Sequence, residues 1–389
     1  MQSSVVIVGG GVMGAATACF LARDHGIRAT VVERDLLYTR ASSSLSASSI
    51  RQQFSQPVNM ALSRWSLHFL RRVGVELAVG EDQPTVGLVE PGYLYLADAA
   101  QGATTLRRLH SLQCAQGAEV ALLNAAELAQ RFPWLHCDDL HLASLGLSGE
   151  GWFDGPALLQ AFRRKAQACG ARFVQGDVQG FDHFAGRVQA VRCADGTRHA
   201  ADAVVLSAGA WTAPLAAALG VALPVSARKR DVFVFETPAA LPGCPLVVDP
   251  SGLWFRPEGR MFLCGAPPRD GDPHEPPLHA IDHAQFEEQL WPALAHRVPA
   301  LAALRLRSAW AGYYEMNDFD HNGLAGALPG WDNVWTACGF SGHGMQQAPA
   351  VGAALAAAIC GAASDAPSLE ALSPQRLLDG RPLREDNVI

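Results

Sequence analysis

The chain has 389 residues, 49% hydrophobic and 17% charged, with a formal net charge of −7. That length accommodates two domains with large cores, and the acidic balance argues against a nucleic-acid partner or an anionic membrane surface. Nine scattered cysteines without a C-x-x-C pair indicate free, mostly buried thiols, and argue against a disulfide framework or a metal site.

An apolar run from Val5 to Val8 leads into Gly9-Gly10-Gly11-Val12-Met13-Gly14, and a periodic apolar stretch follows. The pattern predicts strand, glycine turn and helix. Gly9, Gly11 and Gly14 have the G-x-G-x-x-G spacing: a tight turn, close approach to a pyrophosphate, and helix packing on the strand. The N–H groups of Val12 and Met13 at the helix start suit a diphosphate, which the macrodipole also favours. A second strand, 29–32, ends at Glu33 and Arg34, where an acidic residue accepts from ribose hydroxyls and repels a 2′-phosphate. No apolar stretch is long enough to span a bilayer, and the expected location is the cytoplasm.

Residues 39–54 are serine-rich. Ser42, Ser43, Ser44 and Ser49 suit a loop against a cofactor better than a linker, because the chain should cross the nucleotide there. Helices are expected over 59–73, 99–116, 125–131, 157–169 and 283–294, and strands over 87–96, 170–178 and 188–191. The apolar run 203–211 predicts a buried strand closing near Ala208, Gly209 and Trp211 beside the first glycine turn. Further strands are expected over 231–236, 246–248, 253–256 and 261–264. Arg228, Lys229 and Arg230 look like a solvated basic turn, and 267–277 like a proline-rich loop. A strand over 333–338, a glycine loop and an alanine-rich helix over 346–360 close the pattern.

Three stretches, 5–33, 203–211 and Cys338-Gly339-Phe340-Ser341-Gly342-His343-Gly344-Met345-Gln346, resemble the D-amino-acid oxidase superfamily, in the branch with sarcosine and glycine oxidases. The resemblance implies an α/β chain, α+β overall. A Rossmann-like, glutathione-reductase-like FAD-binding domain would comprise 1–86, 146–222 and 320–389. An antiparallel-sheet substrate domain would comprise 87–145 and 223–319. It further implies oxidation of a C–N bond in a secondary or N-methylated amine or amino acid, with hydride passing to FAD. The alternatives are a biosynthetic flavoenzyme on another intermediate, or a partner-binding assembly flavoprotein with little turnover. Val178, Gly339, Gly342, His343, Gly344, Met345 and Gln346 join the cofactor contacts on this resemblance.

Departures from the branch are informative. Gln346 stands where sarcosine oxidase has a carboxylate-binding lysine, and Phe54 near the position of its partner arginine. Arg256 or Arg51 is then the expected carboxylate cation, Arg51 also steadying flavin, with Trp254, Tyr313 and Tyr314 as aromatic walls. His343 is expected to position backbone and flavin more than to act as acid or base, and His321 and Asn322 to form a turn near the flavin's benzenoid side. The oxygen-activating lysine of related oxidases falls near Leu263; Lys165 and Lys229 are the only lysines. This favours a dehydrogenase passing electrons to an acceptor protein or a quinone. The cysteine and histidine that attach flavin in relatives fall near Gly312 and in the Ser44-Leu45 region, so FAD is expected to be noncovalent.

Overall fold

The computed structural model describes residues 4–269 and 271–385. Its first layer is a six-stranded sheet in the spatial order Leu324–Ala327, Val334–Cys338, Ala203–Leu206, Val5–Val8, Thr30–Glu33, Arg172–Gln175. All neighbours are parallel except the first pair, an antiparallel edge hairpin. The two faces of Val5–Val8 show why a wholly apolar strand is needed. Val5 and Ile7 face the helices Val12–His25 and Gly344–Cys360, while Val6 and Val8 face a three-stranded meander that includes Val178–Phe184 and Arg187–Cys193. Alternate residues on a strand point to opposite faces, so both sets must be apolar when both faces are covered.

The helix Val12–His25 is buried along almost its whole length. It can lie close against Gly344–Cys360 because a Cβ at Gly352 would sit 2.7 Å from the Ala16 Cβ. Small residues at that crossing bring the two helix starts together beside the central strand, which positions both glycine loops on one side.

The second layer is an eight-stranded sheet in the order Arg305–Asn317, Val225–Glu236, Met261–Gly265, Trp254–Glu258, Leu246–Val248, Tyr93–Ala97, Leu142–Gly146, Val120–Leu123. It is antiparallel apart from the pairing of Leu246–Val248 with Tyr93–Ala97. Leu94, Leu96, Val247 and Phe255 pack on one face with Phe286, Leu290 and Leu294. Tyr93, Tyr95, Leu246 and Trp254 lie on the other.

Several expected elements are altered. The strand expected over 203–211 stops at Leu206, and Gly209–Trp211 form a 3-10 turn with Gly209 at φ +57°. Only Tyr93–Ala97 of the 87–96 region is a strand; Val89 makes an isolated bridge to Trp152. The supposed basic turn at Arg228, Lys229 and Arg230 is the middle of the twelve-residue strand Val225–Glu236. Arg228 and Arg230 are met by Asp318 and Asp272 from outside the strand, and Lys229 by Asp231 two residues on within it. All nine cysteines are free. Among the described residues no helix is long and apolar enough to cross a membrane.

Candidate active site

A continuous cavity of about 860 Å³ runs between the two sheets. One end is built by the first glycine turn. Gly9 has φ +96°, and a Cβ there would lie 2.5 Å from the Ser207 carbonyl oxygen. A Cβ at Gly14 would collide with the Gly9 carbonyl oxygen. These glycines let strand, helix and the 207–209 turn converge on the cavity. The helix that begins at Val12 has no side-chain cap; Val12 N–H donates to Ser43 Oγ at 2.9 Å. Glu33 accepts from Gly10 N–H at 2.7 Å and from Asp35 N–H at 2.9 Å. The Arg34 guanidinium stacks on Trp211 at 3.7 Å, and Trp211 Nε1 donates to Glu275.

The serine-rich segment follows the cavity wall and is clamped by the large sheet. Ser42 Oγ donates to the Tyr313 carbonyl at 2.6 Å, Trp310 Nε1 to the Leu45 carbonyl at 2.9 Å, and Arg256 Nη2 to the Ala47 carbonyl at 2.7 Å.

At the far end, Arg51 is 2% exposed. It donates to the Tyr95 hydroxyl and, at 3.0 Å, to His343 Nε2, and lies 4.4 Å over Phe54. A guanidinium is only a donor, so Nε2 is the acceptor and the imidazole proton sits on Nδ1. Burial, then the Arg51 charge, hold the His343 pKa well below the usual histidine range. Gln346 Oε1 accepts from Arg51 N–H at 3.0 Å and Ser63 Oγ at 3.2 Å. The Tyr314 ring lies against the glycine loop, since a Cβ at Gly342 would be 2.7 Å from it. Behind that loop Glu315 accepts from the N–H groups of Gly339 and Phe340, and burial pushes its carboxyl up to about 7.

Residues 4–358 match the family described as DAO, FAD dependent oxidoreductase. The chain belongs to the DAO family of FAD-dependent oxidoreductases. It is 42% identical over 402 residues to FAD-dependent oxidoreductase domain-containing protein 1 of Bos taurus, covering 91% of this chain and 80% of that one. More distantly, it is 27% identical to mitochondrial sarcosine dehydrogenase of Homo sapiens, across 91% of this chain and 39% of the relative. Among solved structures, L-proline dehydrogenase from P. horikoshii superposes with a TM-score of 0.86 at 24% identity, covering 98% and 99% of the two chains. Glycine oxidase from Geobacillus kaustophilus superposes at 0.80 with 25% identity, covering 95% and 98%.

The residues present fit the family's FAD. A helix start whose Val12 N–H is met by Ser43, a cradle that only glycines leave open, and an acid at the second strand end line one side of the cavity. His343 Nδ1 is buried with no acceptor among the described residues, the kind of orphan a bound partner satisfies. Gly9, Gly11, Val12, Met13, Glu33, Arg34, Ser42, Ser43, Ser49, Arg51, Val178, Ala208, Gly209, Trp211, Gly342, His343, Gly344, Met345 and Gln346 all line the cavity, as do Trp254, Arg256 and Tyr314.

Three expected cofactor contacts do not. Gly14 is spent on helix–strand packing, Gly339 backs onto Val225 and Asn317, and Ser44 lies outside the lining beside its neighbours Ser43 and Leu45. His321 and Asn322 form a turn away from the cavity, where Asn322 bonds Asn59, Asn317 and Arg376. Leu263 is buried at 4% exposure and also lies outside the lining. Glu315 and Arg230 line the cavity without having been singled out. Both sit in strands of mixed polarity whose cavity-facing side only the pairing of the two long strands reveals.

Proposed function

We propose that the protein oxidises the C–N bond of a secondary or N-methylated amine or amino acid, acting as a dehydrogenase with noncovalently held FAD. When bound, FAD supplies a hydride acceptor for the carbon next to the amine, and the resulting imine hydrolyses in water. Residues 9–13, Glu33 and Arg34 would hold its dinucleotide end, and residues 42–49 and 341–346 its flavin end.

The inner chamber wall carries this reading. The His343 lone pair is already taken by Arg51, and Glu315 is held behind the second glycine loop by the N–H groups of Gly339 and Phe340. That wall therefore presents no charged base to pull a proton from carbon, and hydride loss from a neutral amine needs none. The buried Arg51 charge disfavours a protonated amine, so the substrate binds as the free base. Trp254 and Tyr314 exclude water and pack on its methyl or methylene groups.

The lining supports the finer points as well. Among the described residues it contains no lysine and no cysteine. Lys229 is turned to Asp231 and the Ala280 carbonyl, and Lys165 donates to the Ala78 carbonyl at 2.7 Å.

The test is anaerobic titration of the purified yellow protein with secondary and N-methylated amines, followed by air or a quinone. Bleaching of the visible flavin spectrum, with faster return on the quinone, is expected. Absence of bleaching by every such amine refutes the reaction, and equally fast return in air refutes the dehydrogenase assignment. Flavin that stays with acid-precipitated protein would refute noncovalent binding.

A further inference from the structure

Five arginines line the cavity, and they differ in what holds them. Arg34 stacks on Trp211 at the dinucleotide end, and Arg40 lies 5.4 Å over the same ring. Arg51 is held by Tyr95 and His343. Arg256, expected from the sequence to bind a carboxylate, has both terminal nitrogens occupied as a clamp and only its buried Nε without a partner among the described residues. It pairs with Glu258, donates to the Pro257 and Ala47 carbonyls, and lies 4.9 Å over Trp152.

Arg230 is different. It stands in the middle of Val225–Glu236, opposite Gly312, against which Leu45 packs. Its guanidinium lies 5.2 Å over the Tyr314 ring, which in turn lies against Gly342 of the second glycine loop. Its orientation is set from behind by a 2.8 Å bond to the Lys229 carbonyl. Both terminal nitrogens reach one carboxylate, Asp272, in parallel bonds of 2.9 and 2.8 Å. Asp272 is 34% exposed and sits between Gly271 and Pro273 in the proline-rich loop.

Fork-to-fork pairing is how arginine recognises a small carboxylate, and a lysine cannot reproduce it. An incoming carboxylate would remake the same two bonds that Asp272 makes, so exchanging one carboxylate for the other leaves the number of bonds to the fork unchanged.

We propose that Arg230 anchors a carboxylate of the substrate, and that Asp272 is the internal carboxylate that competes for the same fork. This rests on the amine-oxidation reading and narrows it: the substrate is an amino acid, its carboxylate on Arg230 and its aliphatic part along Tyr314. The arrangement also explains how Gln346 can stand where a relative has lysine. Its oxygen is tied to Arg51 and Ser63, and the cation has moved to another strand.

The test uses the FAD-loaded protein and calorimetric titration with pyrrole-2-carboxylate, which cannot be dehydrogenated as an amino acid, and with pyrrole-2-carboxamide. The acid should bind about 10- to 100-fold more tightly than the amide. R230M should bring the acid to the level of the amide with flavin content unchanged, and R230K should recover part of the loss. D272N should tighten the acid several-fold without moving the amide. Equal binding of acid and amide, an acid affinity indifferent to R230M, or no tightening in D272N overturns the proposal; if R230M fails to hold flavin, R230K and D272N decide. The two readings fail separately. Amines that bleach the flavin without preference for a carboxylate leave the C–N reaction standing and remove the anchor. Arg230-dependent acid binding without bleaching by any amine keeps the anchor and removes the reaction.

Discussion

Replacing Glu315 by glutamine should stabilise the protein at alkaline pH and change nothing in acid. Burial raises the Glu315 pKa from 4.5 to about 7, partly opposed by the N–H groups of Gly339 and Phe340. The folded protein therefore binds this proton more tightly than the unfolded chain does. The stability it contributes is complete below about pH 4.5 and is lost as pH rises toward about 7. At about 1.4 kcal/mol per pKa unit the full excursion is about 3 kcal/mol, and water in the adjoining cavity trims it to about 1–3 kcal/mol. Glutamine carries no charge at either extreme, and its oxygen still accepts from one of the two N–H groups, so the variant lacks this slope. Urea unfolding followed by tryptophan fluorescence, at about pH 5 and about pH 8 with equal FAD, measures it. Other titrating groups, including the buried Glu150, cancel between the two proteins. Variant and wild type differing by the same amount at both pH values would refute the reasoning.

Three further outcomes follow from the same geometry. Gly14→Ala drives a methyl into the Gly9 carbonyl oxygen and to 2.8 Å from Ser207 Oγ, an overpacking of about 1–3 kcal/mol that should yield protein with little bound flavin; full occupancy by absorbance ratio would count against it. Glu33→Ala removes the acceptor for Gly10 and Asp35 N–H, a loss of about 1–3 kcal/mol. Flavin should be lost on dialysis, and retention at wild-type stoichiometry would reject the ribose-side role. Arg297→Met breaks the pairs with Asp249 at 2.6 Å and Asp139 at 2.7 Å and leaves buried Asp249 uncompensated. Unfolding should cost about 3–5 kcal/mol less with the flavin spectrum unaltered, and an unchanged melting curve would show that the pair contributes nothing.

The elements legible in the sequence are those whose cause is local. Val5–Val8 and the glycine turn were readable because an apolar strand, a positive φ and a helix start all lie within a dozen residues. Ala125–Arg131 was readable as a helix, and the structure shows why its boundary is sharp: Asn124 and Glu127 form a reciprocal cap. Glu33 stood out for its distance from the turn, and the carboxylate does meet Gly10 across 23 residues.

Tertiary structure decided what depends on partners far along the chain. Arg228, Lys229 and Arg230 look like solvated surface in the sequence, because three adjacent cations have no local reason to enter a sheet. Arg228 and Arg230 do so because Asp318 and Asp272 meet them from 90 and 42 residues away, and Lys229 because it reaches the Ala280 carbonyl as well as Asp231 beside it. The strand Arg305–Asn317 mixes polar and apolar residues and takes its register in the sheet from Val225–Glu236. That pairing is what turns Arg230, Tyr314 and Glu315 toward one cavity. Arg51 and His343 meet across 292 residues, and the state of that imidazole follows from burial and one neighbouring charge. Turn chemistry and side-chain periodicity are short-range and can be read from adjacent letters. A pKa, an ion pair or a cavity wall is set by whatever the fold brings within a few ångströms.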